Sequence, residues 1–269
     1  MTGRRPTAAE LACAAVVLFL VVCAVAPWLV APADPLAIAP VDAFQGPSLA
    51  HWFGTDESGR DLYTRVVHGA APSLIIGVSA TAIGIGLGIV LGTVAGLGPR
   101  WLDFGTTRVL EVMFAFPGLL LALLFIVIYG PGVVTSTIAV GLATAPGYAR
   151  IIRSQMLSVR GAAFVEAALV LGRRPWNRFA RNILPNVAGT LFVLVTLGIG
   201  QSIVWASSLS FLGLGAQPPT AEWGALLSAG RTYISSAWWM TFFPGVLIVL
   251  AAASATVLGR AMQTRMRNS

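Results

Sequence analysis

The chain has 269 residues, of which 57% are hydrophobic and 10% charged, and its mean hydropathy is +0.82. This composition excludes a soluble globular domain and indicates an integral membrane protein. The net charge of +7 comes from arginine alone, because the sequence contains no lysine, and this excludes a phosphate-binding loop ending in Gly-Lys-Ser/Thr.

The first predicted element is a transmembrane helix over residues 10–30. Arg4 and Arg5 precede an uncharged run from Leu11 to Val30. Its length favours a retained helix over a cleaved signal peptide, and the arginines place residues 1–9 in the cytoplasm. Cys13 and Cys23 would lie about 15 Å apart along the helix axis, too far for a disulfide.

Residues 31–71 are predicted to form an extracytoplasmic segment that contains a short amphipathic helix near the membrane surface. Leu62, Val66 and Val67 would form its apolar face. Asp61 and Arg65 are spaced i, i+4 and are expected to pair. Before this helix stands a conspicuous group of turn-forming, charged and aromatic residues: Phe53, Gly54, Thr55, Asp56, Gly59, Arg60 and Asp61. One alternative is that these residues only turn the chain.

The second apolar run, residues 73–97, has a glycine at every fourth position: Gly84, Gly88, Gly92 and Gly96. Such a stripe is typical of a packing face between membrane helices, where small residues allow close approach. A dinucleotide-binding loop is excluded here because no strand precedes the glycines.

The third span is predicted over residues 109–129, with Arg108 and Glu111 paired at its start. Phe116-Pro117-Gly118 should kink it. A fourth span covers residues 133–146 and their flanks. None of the predicted spans carries an ionisable residue near its centre.

A cytoplasmic loop over residues 149–186 follows, because its arginines leave no uncharged run long enough to cross a membrane. It is predicted to contain two short helices. Phe164, Ala168 and Leu171 fall on one face of the first, and the small Ala167 and Ala168 would let a partner approach closely. Gly172 ends this helix, and Pro175 begins the second one.

The rest of the chain is predicted to hold a fifth span over residues 187–205, an outside segment over residues 207–237 and a sixth span over residues 238–258. Pro244-Gly245 should break the sixth span, and residues 261–269 would be cytoplasmic. Trp223, Trp238 and Trp239 fit an interfacial aromatic belt. His51 and His68 are the only histidines and have no cysteine nearby, which argues against a zinc site.

Two of these patterns carry a family resemblance. Glu166-Ala167-Ala168, followed by Gly172 and then Leu184-Pro185, resembles the EAA loop of permease subunits of bacterial ABC importers. Asn182 is a departure, since that family usually has Ile or His there. The group from Phe53 to Asp61 resembles a signature of the second, C-type permease subunit of dipeptide, oligopeptide and nickel importers.

The resemblance implies an all-α type I importer permease with six transmembrane helices and both termini cytoplasmic. Residues 72–260 would be a five-helix permease core containing the coupling loop, 149–186. The residues implied to couple the chain to an ATPase are Glu166, Ala167, Ala168, Gly172, Arg173, Arg174, Leu184 and Pro185.

Implied partners are a homologous second permease subunit, two ATPase subunits that bind ATP and Mg, an extracytoplasmic substrate-binding protein and the bilayer of the bacterial inner membrane. Nucleic acid is not expected, and this chain would have no catalytic, metal or cofactor site. Dipeptides or oligopeptides are the expected cargo, with nickel or another small solute as the alternative. A secondary transporter is the alternative from another class, but it would be expected to bury ionisable residues in mid-span.

Overall fold

The structure is a computed structural model that describes residues 7–267. Within that range the regular elements are helices, in agreement with the predicted all-α class. The predicted cytoplasmic ends, residues 1–9 and 261–269, reach beyond this range, so Arg4 and Arg5 lie outside the described residues. The helices in chain order are α1 (Ala8–Val25), α2 (Pro27–Val30), a 3-10 turn (Pro40–Asp42), α3 (Leu62–His68), α4 (Ala70–Leu97), α5 (Arg100–Phe114), α6 (Gly118–Tyr129), α7 (Val133–Arg160), α8 (Ala163–Val170), α9 (Pro175–Arg178), a π-helical turn (Phe179–Ile183), α10 (Leu184–Phe211), α11 (Trp223–Arg231) and α12 (Trp239–Arg267).

Four helical stretches of the described chain are long and apolar enough to cross a bilayer: Ala8–Val25, Leu62–Leu97, Pro175–Phe211 and Trp239–Arg265. Helices α5 and α6 qualify only as a pair, which is bent by 88°. Length and composition therefore support four spans, or five with the bent pair, where six are predicted. Helix α7 has 28 residues, but serine, threonine and glycine residues and the arginines Arg150, Arg153 and Arg160 make it less apolar.

Pro117 and Pro244 are both predicted to interrupt a helix, but only Pro117 does so. Pro117 lies in the break between α5 and α6, so the predicted interruption is confirmed, although it produces two helices at nearly a right angle. Pro244 lies inside α12, which continues through it to Arg267, so the predicted break is wrong. A membrane helix tolerates an internal proline where its surroundings compensate for the lost bond.

The glycine stripe of α4 lies against α7. A β-carbon built on Gly88 would stand 2.7 Å from the Cβ of Tyr148, and one on Gly92 would stand 2.8 Å from the carbonyl oxygen of Ala149. Real β-carbons do not approach other atoms so closely, so only glycine allows this contact. All four glycines of the stripe are buried: Gly84, Gly88, Gly92 and Gly96.

The other long helices complete the body. Helix α10 packs on both α4 and α12, and α1 packs on α12. Where α10 meets α12, a β-carbon on Gly200 would stand 2.8 Å from the carbonyl oxygen of Ala252. At the α3 end of the molecule, a cluster of buried apolar side chains joins α3, α11 and α12, and it includes Leu62, Trp223 and Met240.

We expect Gly88→Ala to destabilise the fold by about 1–3 kcal/mol, because the added methyl group overpacks the contact with Tyr148. The measurement is the thermal unfolding temperature of the purified protein in detergent. Gly86→Ala is the matched control, since a β-carbon there would meet nothing within 4 Å. Equal stability of the two variants would show that the stripe does not set the approach of the helices.

Candidate functional site

The predicted signature folds one end of the molecule, which we call the cap and define as residues 31–71 together with residues 212–238. Asp56, which is 1% exposed, lies at its centre. Its Oδ1 accepts hydrogen bonds from the backbone N–H groups of Ser58 (2.8 Å) and Arg60 (3.0 Å). Its Oδ2 accepts from Arg60 Nε at 2.7 Å and from Arg65. One carboxylate thus fixes a turn and two guanidinium groups.

Arg65 connects the two parts of the cap. Its side chain is buried, and its Nη2 donates to the carbonyl oxygen of Pro219 at 3.1 Å. Burial, aided by the neighbouring Arg60 guanidinium, lowers the pKa of Arg65 from its ordinary value. Since an unpaired buried charge is strongly unfavourable, the arginine depends on Asp56.

The predicted pair between Asp61 and Arg65 is wrong. Asp61 instead caps the N-terminus of α3, where its carboxylate accepts from the N–H of Thr64 at 2.8 Å and lies 3.0 Å from His51 Nδ1. This is the ordinary role of an aspartate that immediately precedes a helix. The side chain of Arg65 reaches Asp56 instead.

The predicted short helix is α3, and most of its side chains are buried within the protein. Leu62, Val66 and Val67 form an apolar face, as predicted, but that face belongs to the cluster shared with α11 and α12. Only Gly69 separates α3 from α4. Helix α3 of the cap therefore leads directly into α4.

The remaining signature residues attach the cap to α12. Phe53 stacks on Phe243 with ring centroids 3.9 Å apart, and the carbonyl oxygen of Thr55 accepts from Trp239 Nε1 at 3.0 Å. Gly54 and Gly59 have positive φ angles of 78° and 75°, which favour glycine. The signature is thus built into the interior of the cap.

Two of the three tryptophans assigned to an interfacial belt are buried instead. Trp223 is fully buried and its Nε1 donates to the carbonyl oxygen of Val66 at 2.8 Å, while Trp239 bonds to Thr55. Trp238 is half exposed, at 51%. A buried indole needs an acceptor for its N–H, and cap backbone carbonyls supply it here.

Glu222 is a cap residue that the sequence analysis missed. It is 1% exposed, and its carboxylate accepts from the backbone N–H groups of Gly224 (2.8 Å) and Ala225 (2.9 Å) at the start of α11. Ser73 of α4 also donates to it at 3.4 Å. Burial raises the pKa of Glu222 above its ordinary value. The available signal was an acidic residue at the start of a helical stretch, a capping pattern.

The EAA loop lies at the opposite end of α4 and α7. Helix α8 ends as predicted: Gly172 has φ of 72°, its N–H donates to the carbonyl of Leu169 at 2.9 Å, and the N–H of Arg173 donates to Ala168 at 3.1 Å. These two bonds form a Schellman motif. Pro175 then occupies the first turn of α9, which confirms its predicted role.

Some side chains of α8 are buried against the rest of the protein, and others are exposed. Val165 is buried in a cluster with Ile152, Met156 and Val187, and Ala168 is also buried, whereas Glu166 and Ala167 are exposed. Phe164 and Leu171 are exposed, so of the predicted seam of Phe164, Ala168 and Leu171 only Ala168 is buried. The structure does not leave Ala168 available to a partner. A bare apolar tip is formed by Leu169, Val170, Leu171 and Trp176.

The remaining predicted loop residues lie in the turn after α8 or on helices. Arg173 and Arg174 are exposed between α8 and α9. The π-helical turn runs directly into α10, so Leu184-Pro185 marks no stop, and Pro185 sits in the first turn of α10. Helix α7 extends to Arg160, so residues 149–160 are helical. Arg153 makes a bidentate ion pair with Asp103 of α5, with distances of 2.8 and 3.0 Å.

This helical arrangement resembles that of the membrane subunit of a solved transporter. In the solved structures, an inward-facing MetNI methionine ABC transporter matches with a TM-score of 0.62 over 75% of this chain and 95% of that one. The sequence identity is 15%, so the likeness shows the fold alone.

Residues 88–268 match the family described as binding-protein-dependent transport system inner membrane component, and the chain belongs to this family of multi-pass inner-membrane proteins. It is 41% identical to the dipeptide transport system permease protein DppC of Alkalihalophilus pseudofirmus over 82% of this chain and 72% of that protein. It is 38% identical to the probable D,D-dipeptide permease DdpC of Escherichia coli K12 (91% and 82% covered) and 40% identical to a glutathione permease GsiD of E. coli (95% and 84%). The predicted resemblance to C-type permeases of peptide importers is confirmed.

We expect Asp56→Asn to destabilise the protein by about 3–5 kcal/mol, because it removes the charge that balances buried Arg65. The thermal unfolding temperature of the detergent-purified protein measures this loss. Glu57→Gln is the control: Glu57 also pairs with Arg60, at 3.0 Å, but its side chain is 30% exposed. Its loss should cost about 0–1 kcal/mol. Similar losses in both variants would contradict the central role of Asp56.

Proposed function

We propose that the chain is the C-type permease subunit of an ATP-driven importer of short peptides, and that the α8–α9 hairpin is its contact with the ATPase. The observation that carries the proposal is the EAA frame on an exposed hairpin with an apolar tip at Leu169, Val170, Leu171 and Trp176. Exposed apolar groups of this kind mark an interaction surface. Relatives named for dipeptide and glutathione transport support the cargo class.

In this proposal the chain crosses the membrane six times, through α1, α4, the bent pair α5–α6, α7, α10 and α12. The hairpin and both termini face the cytoplasm, and the cap faces the outside. The distribution of arginine supports this orientation, because basic residues concentrate on cytoplasmic segments. Those on the cytoplasmic side would be Arg4, Arg5, Arg100, Arg108, Arg150, Arg153, Arg160, Arg173, Arg174, Arg178, Arg181, Arg260, Arg265 and Arg267.

The proposed assembly contains a homologous second permease, two ATPases and an extracytoplasmic binding protein. ATP and Mg²⁺ would bind to the ATPases, because this sequence has no lysine for a phosphate-binding loop. The binding protein would deliver peptide to the outer side, where the cap lies. Closure of the ATPases on ATP would then displace the hairpin.

The contacts of the hairpin suggest how such a displacement would spread. Val165 anchors α8 in a buried cluster that contains the α7 side chains Ile152 and Met156. Helix α9 continues through the π-helical turn into α10. A force on the hairpin would therefore reach two of the proposed spanning helices, one by side-chain packing and the other through unbroken backbone.

The cargo is tested by uptake into proteoliposomes that contain the complete complex and its binding protein. We expect ATP-dependent uptake of a labelled dipeptide that other short peptides compete for. Uptake of nickel or another small solute without competition from peptides would favour the alternative cargo. Uptake driven by an ion gradient without ATP would indicate a secondary transporter and contradict the proposal.

We expect Gly172→Val to uncouple ATP hydrolysis from uptake, because a β-branched residue at φ of 72° opposes the turn that ends α8. The local cost is about 1–2 kcal/mol. The measurement is ATP hydrolysed per peptide imported by the reconstituted complex. Gly161→Val is the matched control in the same loop, since Gly161 has φ of −82° and its nearest neighbour would be 3.8 Å from the new β-carbon. Equal coupling in both variants would argue against the turn.

A further inference from the structure

We propose that Gln201 of α10 is the side chain that hydrogen-bonds the backbone amide of the peptide as it crosses the membrane. The inference rests on the proposed function and assigns the contact that distinguishes substrates inside the permease. The carboxamide of Gln201 has an unusual position in the sequence. No charged residue occurs between Arg181 and Glu222, and Gln201 stands within that apolar interval.

Gln201 lies far from both ends of its helix. At 1.5 Å per residue it is about 25 Å from Leu184 and about 15 Å from Phe211. Its side chain is exposed and makes no hydrogen bond within residues 7–267. An exposed carboxamide facing hydrocarbon would lose its partners at a substantial cost. The exposed face must therefore meet polar groups, which a peptide in a transport pathway provides.

The other faces of α10 are already occupied. Ser202 and Ile203 are buried, and Ser202 accepts a hydrogen bond from Thr81 of α4 at 3.0 Å. Gly200 lies against α12. Around Gln201, side chains that are not buried form a stripe at helical spacing with Leu197, Val204 and Ser208.

Clefts adjoin this stripe on both sides. One, of about 240 Å³, reaches the break between α5 and α6 and is lined by Phe114, Phe116, Gly147, Gln201 and Trp205. The other, of about 680 Å³, runs between α10 and α12 and is also lined by Gln201 and Trp205. The helix break supports a pathway here, because interrupted backbone at membrane depth is tolerated only within protein or beside a water-filled cavity.

The chemistry of the clefts matches a peptide better than an ion. A carboxamide both donates and accepts hydrogen bonds, as the peptide amide does, and it carries no charge. Aromatic side chains and Met113 form much of the surrounding wall. Such walls adapt to side chains of different shape. Gln201 would then recognise the backbone that all peptides share.

The test compares uptake of Ala-Ala with uptake of the same dipeptide methylated on its amide nitrogen, using the complete complex in proteoliposomes at saturating binding protein. We expect Gln201→Met to lower the ratio of the two initial rates about fivefold, the size of one lost net hydrogen bond. Selection by the binding protein is the same in every variant and cancels from the change in ratio. Thr196→Val is the control, because it removes a polar group from the same helix outside both clefts.

An unchanged ratio in Gln201→Met would overturn the inference. Loss of co-purification with the second permease would overturn it as well, since it would show that the stripe is an assembly surface. Where Gln201→Met does not fold, Gln201→Asn, which shortens the reach of the carboxamide, must lower the same ratio. A wild-type complex that imports neither dipeptide would contradict the proposed function itself, whereas import with an unaltered ratio would contradict only the role of Gln201.

Discussion

The close contact between α4 and α7 is the constraint on which the rest of the structure depends. In a bilayer no hydrophobic force drives helices together, so association relies on close packing of small residues. The glycine stripe brings α4 within contact of the α7 backbone at Ala149. The cap lies at one end of this pair and the α8–α9 hairpin at the other. Helix α4 begins at the cap, through α3, and α7 ends at α8.

The two ends are built by different physical means. The cap is held by buried charges and indole N–H groups with named partners, such as Asp56 with Arg65 and Trp239 with Thr55. Buried polar groups of this kind are costly when one partner is lost, which favours a single arrangement. The hairpin is held by apolar contacts of Val165 and by one turn at Gly172. It leaves an apolar tip exposed.

The sequence predicts conformations that depend on neighbouring residues, but it does not predict hydrogen-bond partners that are distant along the chain. Gly172 and Pro175 were placed correctly because positive φ and a missing N–H act within a few residues. Arg65 was paired wrongly with Asp61, because the i, i+4 rule cannot foresee Asp56 or the carbonyl of Pro219, 154 positions away. The belt assignment of Trp223 and Trp239 failed for the same reason. The sequence does not single out Gln201, because one neutral polar residue hardly changes the hydropathy of an apolar run.

Helix α10 connects the α8–α9 hairpin, the proposed contact with the ATPase, to Gln201, the proposed contact with the peptide. Pro185 lies in its first turn beside the hairpin, and Gln201 lies in its outer half on the same unbroken helix. A rigid helix cannot be displaced at one end alone, so movement of the hairpin would tilt or turn the stripe that carries Gln201. A hydrogen bond depends steeply on distance and angle. The displacement that opens the pathway would thereby also break the bond to the peptide, so that a single carboxamide could recognise the substrate without retaining it.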